Sequence, residues 1–145
     1  MLSVLVTALI GMLGGVAVGL QGPIATQMGR RIGSAASSFV VHISGAIASG
    51  ILLLARRGEN IQNWRTLTWY MLGSGALGLV LYLTINHTMP RLGATTALAL
   101  IIIGQLSVGV VVDHFGLFGS AVRELSAARL AGLLLLLAGG YMIIR

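Results

Sequence analysis

The sequence predicts an all-α membrane protein with five transmembrane helices. Three observations predict it. First, 57% of the 145 residues are hydrophobic and only 8% are charged, with a mean hydropathy of +0.98. A soluble domain of this size must cover itself with charge, and twelve charged side chains do not suffice. Second, the apolar residues fall into five runs long enough to cross a bilayer. The clearest runs from Gly93 to Val112, twenty residues without a charge. At about 1.5 Å per residue it spans about 30 Å, the thickness of the hydrocarbon core. Third, the charges stand singly or in pairs between those runs, as charges that flank spans do.

The runs are taken in order as one five-helix membrane domain over residues 1–145. The first covers 2–22 and continues, kinked, to 29. Its length and its lack of a basic start make it a retained span and not a signal peptide. Gly22-Pro23 is the expected helix break. Proline lacks an N–H, and its ring clashes with the carbonyl four residues back, here that of Gly19. The second span is 34–55, with Ser34 as its expected N-cap and Arg56-Arg57-Gly58-Glu59-Asn60 closing it. Trp64, Trp69 and Tyr70 form an aromatic belt before the third span, 67–86. Pro90 and Gly93 bound the next loop. The fourth span is 93–112, Asp113 to Ser126 is the longest connector, and Ser126 caps the fifth span, 127–144. One internal echo stands out. Arg31-Ile32-Gly33-Ser34-Ala35-Ala36 precedes span two, and Arg91-Leu92-Gly93-Ala94-Thr95-Thr96 precedes span four. In each, glycine suits the end of a helix and a small residue suits a new start.

The net charge of +6 comes from nine arginines, with no lysine, against Glu59, Asp113 and Glu124. The arginines form no basic face, so nucleic acid is not an expected partner. Five spans put the two ends of the chain on opposite sides of the membrane. One side then carries Arg56, Arg57, Arg65, Arg123 and Arg129, and the other Arg30, Arg31, Arg91 and Arg145. Orientation follows the excess of Lys and Arg on cytoplasmic loops, and an excess of one gives almost no instruction. Insertion in both directions is therefore expected, with opposite copies pairing as an antiparallel homodimer. Five plus five inverted spans is a known transporter plan, in which two inverted repeats surround a site near mid-membrane.

Gly11, Gly15 and Gly19 lie four apart and make a helix-packing seam; Gly132 and Gly139 do the same in span five. The polar residues inside spans say more. Gln21, His42, Tyr82 and Gln105, from four different spans, reach a similar depth. Polar groups in hydrocarbon face the bundle interior or a water-filled cavity, so these four are the candidate substrate-binding residues, beside the break at Gly22-Pro23. The competing reading is separate interhelical hydrogen bonds, each worth about 0.6 kcal/mol. His42 has no carboxylate partner in any span and is read as a neutral hydrogen-bonding residue rather than a proton carrier. Asp113 stands at a membrane boundary, within reach of Arg123 or Arg129. No Asp or Glu lies within a span, which disfavours simple exchange of protons for organic cations. The chain has no cysteine and no nucleophile–base set. Catalytic residues, a metal site and cofactors are therefore not expected, and the protein is not read as an enzyme.

Two motifs resemble those of the YdcZ-like family of small bacterial inner-membrane proteins, in the drug/metabolite transporter superfamily. The first is Gln21-Gly22-Pro23-Ile24 with Gln27-Met28-Gly29-Arg30-Arg31-Ile32-Gly33-Ser34. The second is Gly93-Ala94-Thr95-Thr96 with Gly104-Gln105 and Asp113-His114-Phe115-Gly116-Leu117-Phe118-Gly119. The likeness covers nearly the whole chain. It implies a multi-pass half-transporter in the bacterial inner membrane, working as a pair or beside a fused ten-span relative. The chain departs from the family where Ala25 replaces a frequent Asn and where His42 replaces an apolar residue. The expected function is secondary transport of a small solute or metabolite, by alternating access across the antiparallel dimer. The alternative is a membrane subunit that transports nothing and pairs with an oppositely oriented or larger protein.

Overall fold

Five helices are long and apolar enough to cross a membrane: Val4–Ile32, Ser34–Ala55, Trp69–Leu92, Ala94–Phe115 and Ala127–Ile144. The computed structural model describes residues 2–144, with side chains from Val4 onward; Arg145, counted above among the topology charges, lies outside them. The helices are α1 (Leu2–Ile32), α2 (Ser34–Ala55), α3 (Trp69–Gly73), α4 (Gly75–Leu92), α5 (Ala94–Phe115) and α6 (Ala127–Ile144), with short 3-10 turns at Ile61–Thr66 and Leu117–Gly119. Among the described residues there is no strand. Large apolar side chains stand exposed along the helices, Leu54 at 79% and Leu135 at 74% among them. Water would penalise that surface, whereas hydrocarbon is its natural solvent.

The chain divides into two compact units, Met1–His87 and Thr88–Arg145. In the first, α1 packs along α2. The helix is not broken at Gly22-Pro23, contrary to the sequence expectation: α1 runs without interruption to Ile32 with Pro23 inside it. Proline removes one hydrogen bond out of a long ladder. Inside a membrane helix the freed carbonyl is tolerated, while the flanking bonds hold the helix together. The span therefore ends at Ile32, not at 29, and Arg30 and Arg31 form its last turn, where cations complement the helix dipole.

A single residue, Gly33, then reverses the chain. Its backbone is at φ 88°, ψ 152°, a region essentially reserved for glycine. Its N–H closes α1 by donating to the Gly29 carbonyl at 2.9 Å, and its own carbonyl accepts the Ser37 N–H at 3.0 Å, which opens α2. Ser34 is thus the first helical residue and not the N-cap. Gly33 holds that place, with no side-chain cap bond.

The third span differs from its expected bounds at both ends. It begins at Trp69 and is interrupted at Ser74, whose hydroxyl donates to the Met71 carbonyl at 2.8 Å, a local bond that competes with the helix ladder. It then runs through Pro90 to Leu92. The expected loop shrinks to Gly93: Pro90 lies inside α4, where it frees one carbonyl a turn earlier while the neighbouring bonds of the ladder carry the helix on. Exposed Trp64 and Trp69 mark the interface before this span. The Arg65 guanidinium lies 5.7 Å from the Trp64 ring, and Trp69 meets Tyr70 edge-on at 6.0 Å.

In the second unit, α5 packs along α6. Gly93 repeats the geometry of Gly33: φ 81°, ψ 163°, N–H to the Met89 carbonyl at 3.0 Å and carbonyl to the Ala97 N–H at 3.1 Å. The internal echo in the sequence is one kind of junction used twice. The fourth residue after each glycine is deeply buried, Ser37 at 0% and Ala97 at 1%. Helix α5 ends at Phe115, so Asp113 and His114 lie in its last turn. Gly116, in the left-handed conformation, caps it by donating to the Val112 carbonyl. Asp113 pairs with Arg129 at 3.4 Å and not with the side chain of Arg123, whose backbone N–H instead reaches the Asp113 carbonyl at 2.8 Å. Ser126 caps α6 as expected, its hydroxyl accepting the Arg129 N–H at 3.3 Å.

Candidate functional site

The buried polar groups of the first unit gather on α1, α2 and α4. Buried positions recur on α1 at Gly22, Ala25 and Thr26, the spacing of one helical face. On α2, Ser37 and Ser38 are buried at 0% and 2%. On α4, Tyr82 and Ile85 are buried at 5% and 4%, with Asn86 one residue further on. Ser37 donates its hydroxyl to the Ala25 carbonyl at 3.1 Å and ties α2 to α1. The Ala25 position thus acts through its backbone.

His42 is fixed by its own helix. Its Nδ1 lies 2.7 Å from the Ser38 carbonyl, which can only accept, so Nδ1 carries the proton. Nε2 is left for a partner outside the helix. That nitrogen faces α4 at Gly78, where an added Cβ would sit 2.9 Å from it. The His42 and Tyr82 rings meet edge-on with centroids 6.0 Å apart. Asn86 presses on α1 in the same way, and a Cβ on Gly29 would stand 2.5 Å from Asn86 Oδ1. Glycine at 29 and 78 is what lets two polar side chains lie directly against a neighbouring backbone.

Four atoms in this seam are buried without a hydrogen-bond partner: Thr26 Oγ1, the Tyr82 hydroxyl, and Oδ1 and Nδ2 of Asn86. Ser37 lies within electrostatic reach of the Tyr82 hydroxyl but makes no bond of acceptable geometry with it. Native interiors leave few such groups, and four together are unusual.

Of the four substrate-binding candidates, the structure brings together His42 and Tyr82. Gln21 is exposed on α1, just beside the buried face that begins at Gly22. Gln105 belongs to the second unit and is exposed on α5. The α5–α6 surface of that unit carries two apolar troughs of about 490 and 330 Å³, which share Gly132 and Leu136. Gln105 lines neither. Each glutamine lies twelve residues from its junction glycine, about 18 Å along the helix, so both sit near mid-membrane. The sequence pointed to Tyr82 but not to Thr26 or Ser37. Their signal was present in the small and polar positions 22, 25, 26 and 29 of α1, which share one face, but the assumed break at Pro23 hid it.

Five helices long and apolar enough to span a bilayer, with polar side chains buried in the first unit, define a multi-pass membrane protein. The family model described as "Putative inner membrane exporter, YdcZ" matches residues 6–142, and the chain belongs to that family. No curated protein and no solved structure matches it. Membership makes it a multi-pass protein of the inner membrane and a membrane transporter.

Proposed function

We propose that the protein exports a small solute by alternating access across an antiparallel homodimer, in which each copy inserts opposite to the other. The observation that carries this reading is the exposure of Gln21 and Gln105. Both are amides near mid-span, and neither is covered by its own chain. A primary amide turned to lipid leaves donors and acceptors unsatisfied, so it belongs against a cavity or a partner. An inverted second copy supplies both. The arginine distribution supports the pairing, because five arginines against four is a weak orientation signal.

The test works with the solute unidentified. Culture media of cells with and without the protein are compared by untargeted mass spectrometry. Export predicts a solute that accumulates outside only when the protein is present, and Gln21→Ala or Gln105→Ala removes the difference while leaving the protein folded in the membrane. Media that match in every solute would reject export, and undiminished export by both variants would reject the amides as part of the pathway.

A further inference from the structure

We propose that the α1–α2–α4 seam of the first unit is a binding site for an uncharged, hydrogen-bonding group of the solute, a hydroxyl or an amide. The proposal rests on the transport reading above and names the chemistry of what is carried. Tyr82 and Thr26 are 5% and 6% exposed, and neither hydroxyl has a hydrogen-bond partner. Both amide atoms of Asn86 are in the same condition. Such groups are costly to leave unpaired in hydrocarbon, and they persist where a ligand or a second conformation satisfies them. Together they offer donors and acceptors in near balance: two hydroxyls that do either, one amide N–H₂ and one amide oxygen. His42 adds a ring nitrogen, Nε2, because its Nδ1 is committed to the Ser38 carbonyl.

The same inventory favours an uncharged group over an ionic one. The charged residues of this unit are Arg30, Arg31, Arg56, Arg57, Glu59 and Arg65. They stand in the last turn of α1 or in the connection that follows α2. A carboxylate or ammonium at the seam would be desolvated without a counter-charge. Gly29 and Gly78 leave Asn86 and His42 tight against bare backbone, so a small displacement of either side chain opens space without unfolding a helix.

The chain contains no cysteine, so single thiols can be introduced without background. Thr26→Cys and Asn86→Cys are compared with Ile24→Cys and Leu83→Cys, whose native side chains are 59% and 41% exposed at similar positions on the same helices. Full-length protein in open membrane fragments is treated with three methanethiosulfonates, one neutral, one cationic and one anionic, with rates normalised to a free thiol. Thiols react as thiolates, which form only where water reaches. The proposal expects positions 26 and 86 to react at least about tenfold faster than 24 and 83 with the neutral reagent, and to favour it over both charged ones. Equal, slow labelling at all four positions would overturn the site, and equal, fast labelling would mean a generally loose unit and overturn it too. A preference for either charged reagent would overturn the ligand class. Thr26→Cys is nearly isosteric and keeps the test alive if Asn86→Cys does not fold. The measurement requires neither a known solute nor a dimer, so its failure and that of the export reading are separable.

Discussion

Gly33→Ala and Gly93→Ala each lower the melting temperature of the purified protein by several degrees, although each adds one methyl group in open space. No atom lies within 4 Å of a Cβ at either position, so crowding is not the cause. The cost is in the backbone. Both residues sit at strongly positive φ with extended ψ, where an L side chain is strained by about 1–3 kcal/mol. The strain cannot be relieved by a shift along the chain, because each junction is a single residue whose N–H closes one helix and whose carbonyl opens the next. Gly14→Ala is the internal control. It is the same chemical change with the same empty surroundings, but it falls within α1, where alanine is favoured over glycine by about 1 kcal/mol. The expected signs are opposite: loss at 33 and 93, and no change or a gain at 14. Melting of the position 33 and 93 variants at the native temperature would show that the junctions are not the constrained points described here.

Tyr82→Phe makes the protein more stable and less active. The hydroxyl it removes is buried and unpartnered. Removing such a group relieves its desolvation cost, about 1 kcal/mol or more. The ring stays, and with it the edge contact to His42 at 6.0 Å and the burial beside Ile85. If the hydroxyl had no part in transport, its removal would raise stability all the same and leave export unchanged. If it receives the solute, the two quantities move apart. The melting temperature rises slightly while the solute in the medium falls to the level of cells lacking the protein. Paired melting and export measurements on the same variant read both. A variant that exports as well as the native chain would remove Tyr82 from the solute path.

Much of the fold is written in the apolar runs. Five of them, bounded by Arg, Gly and Trp, specify five spans with little ambiguity, because hydrocarbon length sets the length of a helix that must cross it. The junction glycines were legible as well, through the repeated Arg-x-Gly pattern at 31–33 and 91–93. The errors lie where a local rule met a long helix. Pro23 reads as a break, and Pro90 as part of a loop, when each is judged alone. In α1 and in α4 alike the flanking ladder outweighs one missing bond. That misreading also obscured the site. With the helix unbroken, Gly22, Ala25, Thr26 and Gly29 fall on one face, and the seam with Ser37, Tyr82 and Asn86 becomes visible. Depth alone could not find it. Gln21 and Gln105 match His42 and Tyr82 in approximate level, but the direction a side chain takes depends on which helix face is covered, and the sequence carries that information only weakly.

The inverted pair is tested most directly by fusing the C-terminus to two reporters in turn. One is a phosphatase active only outside the cytoplasm, and the other is a fluorescent protein that matures only inside. The antiparallel arrangement predicts that both fusions are active at comparable levels from the same chain. Activity of one reporter alone would mean that every copy enters the membrane the same way up, and that two copies of this chain do not face each other inverted.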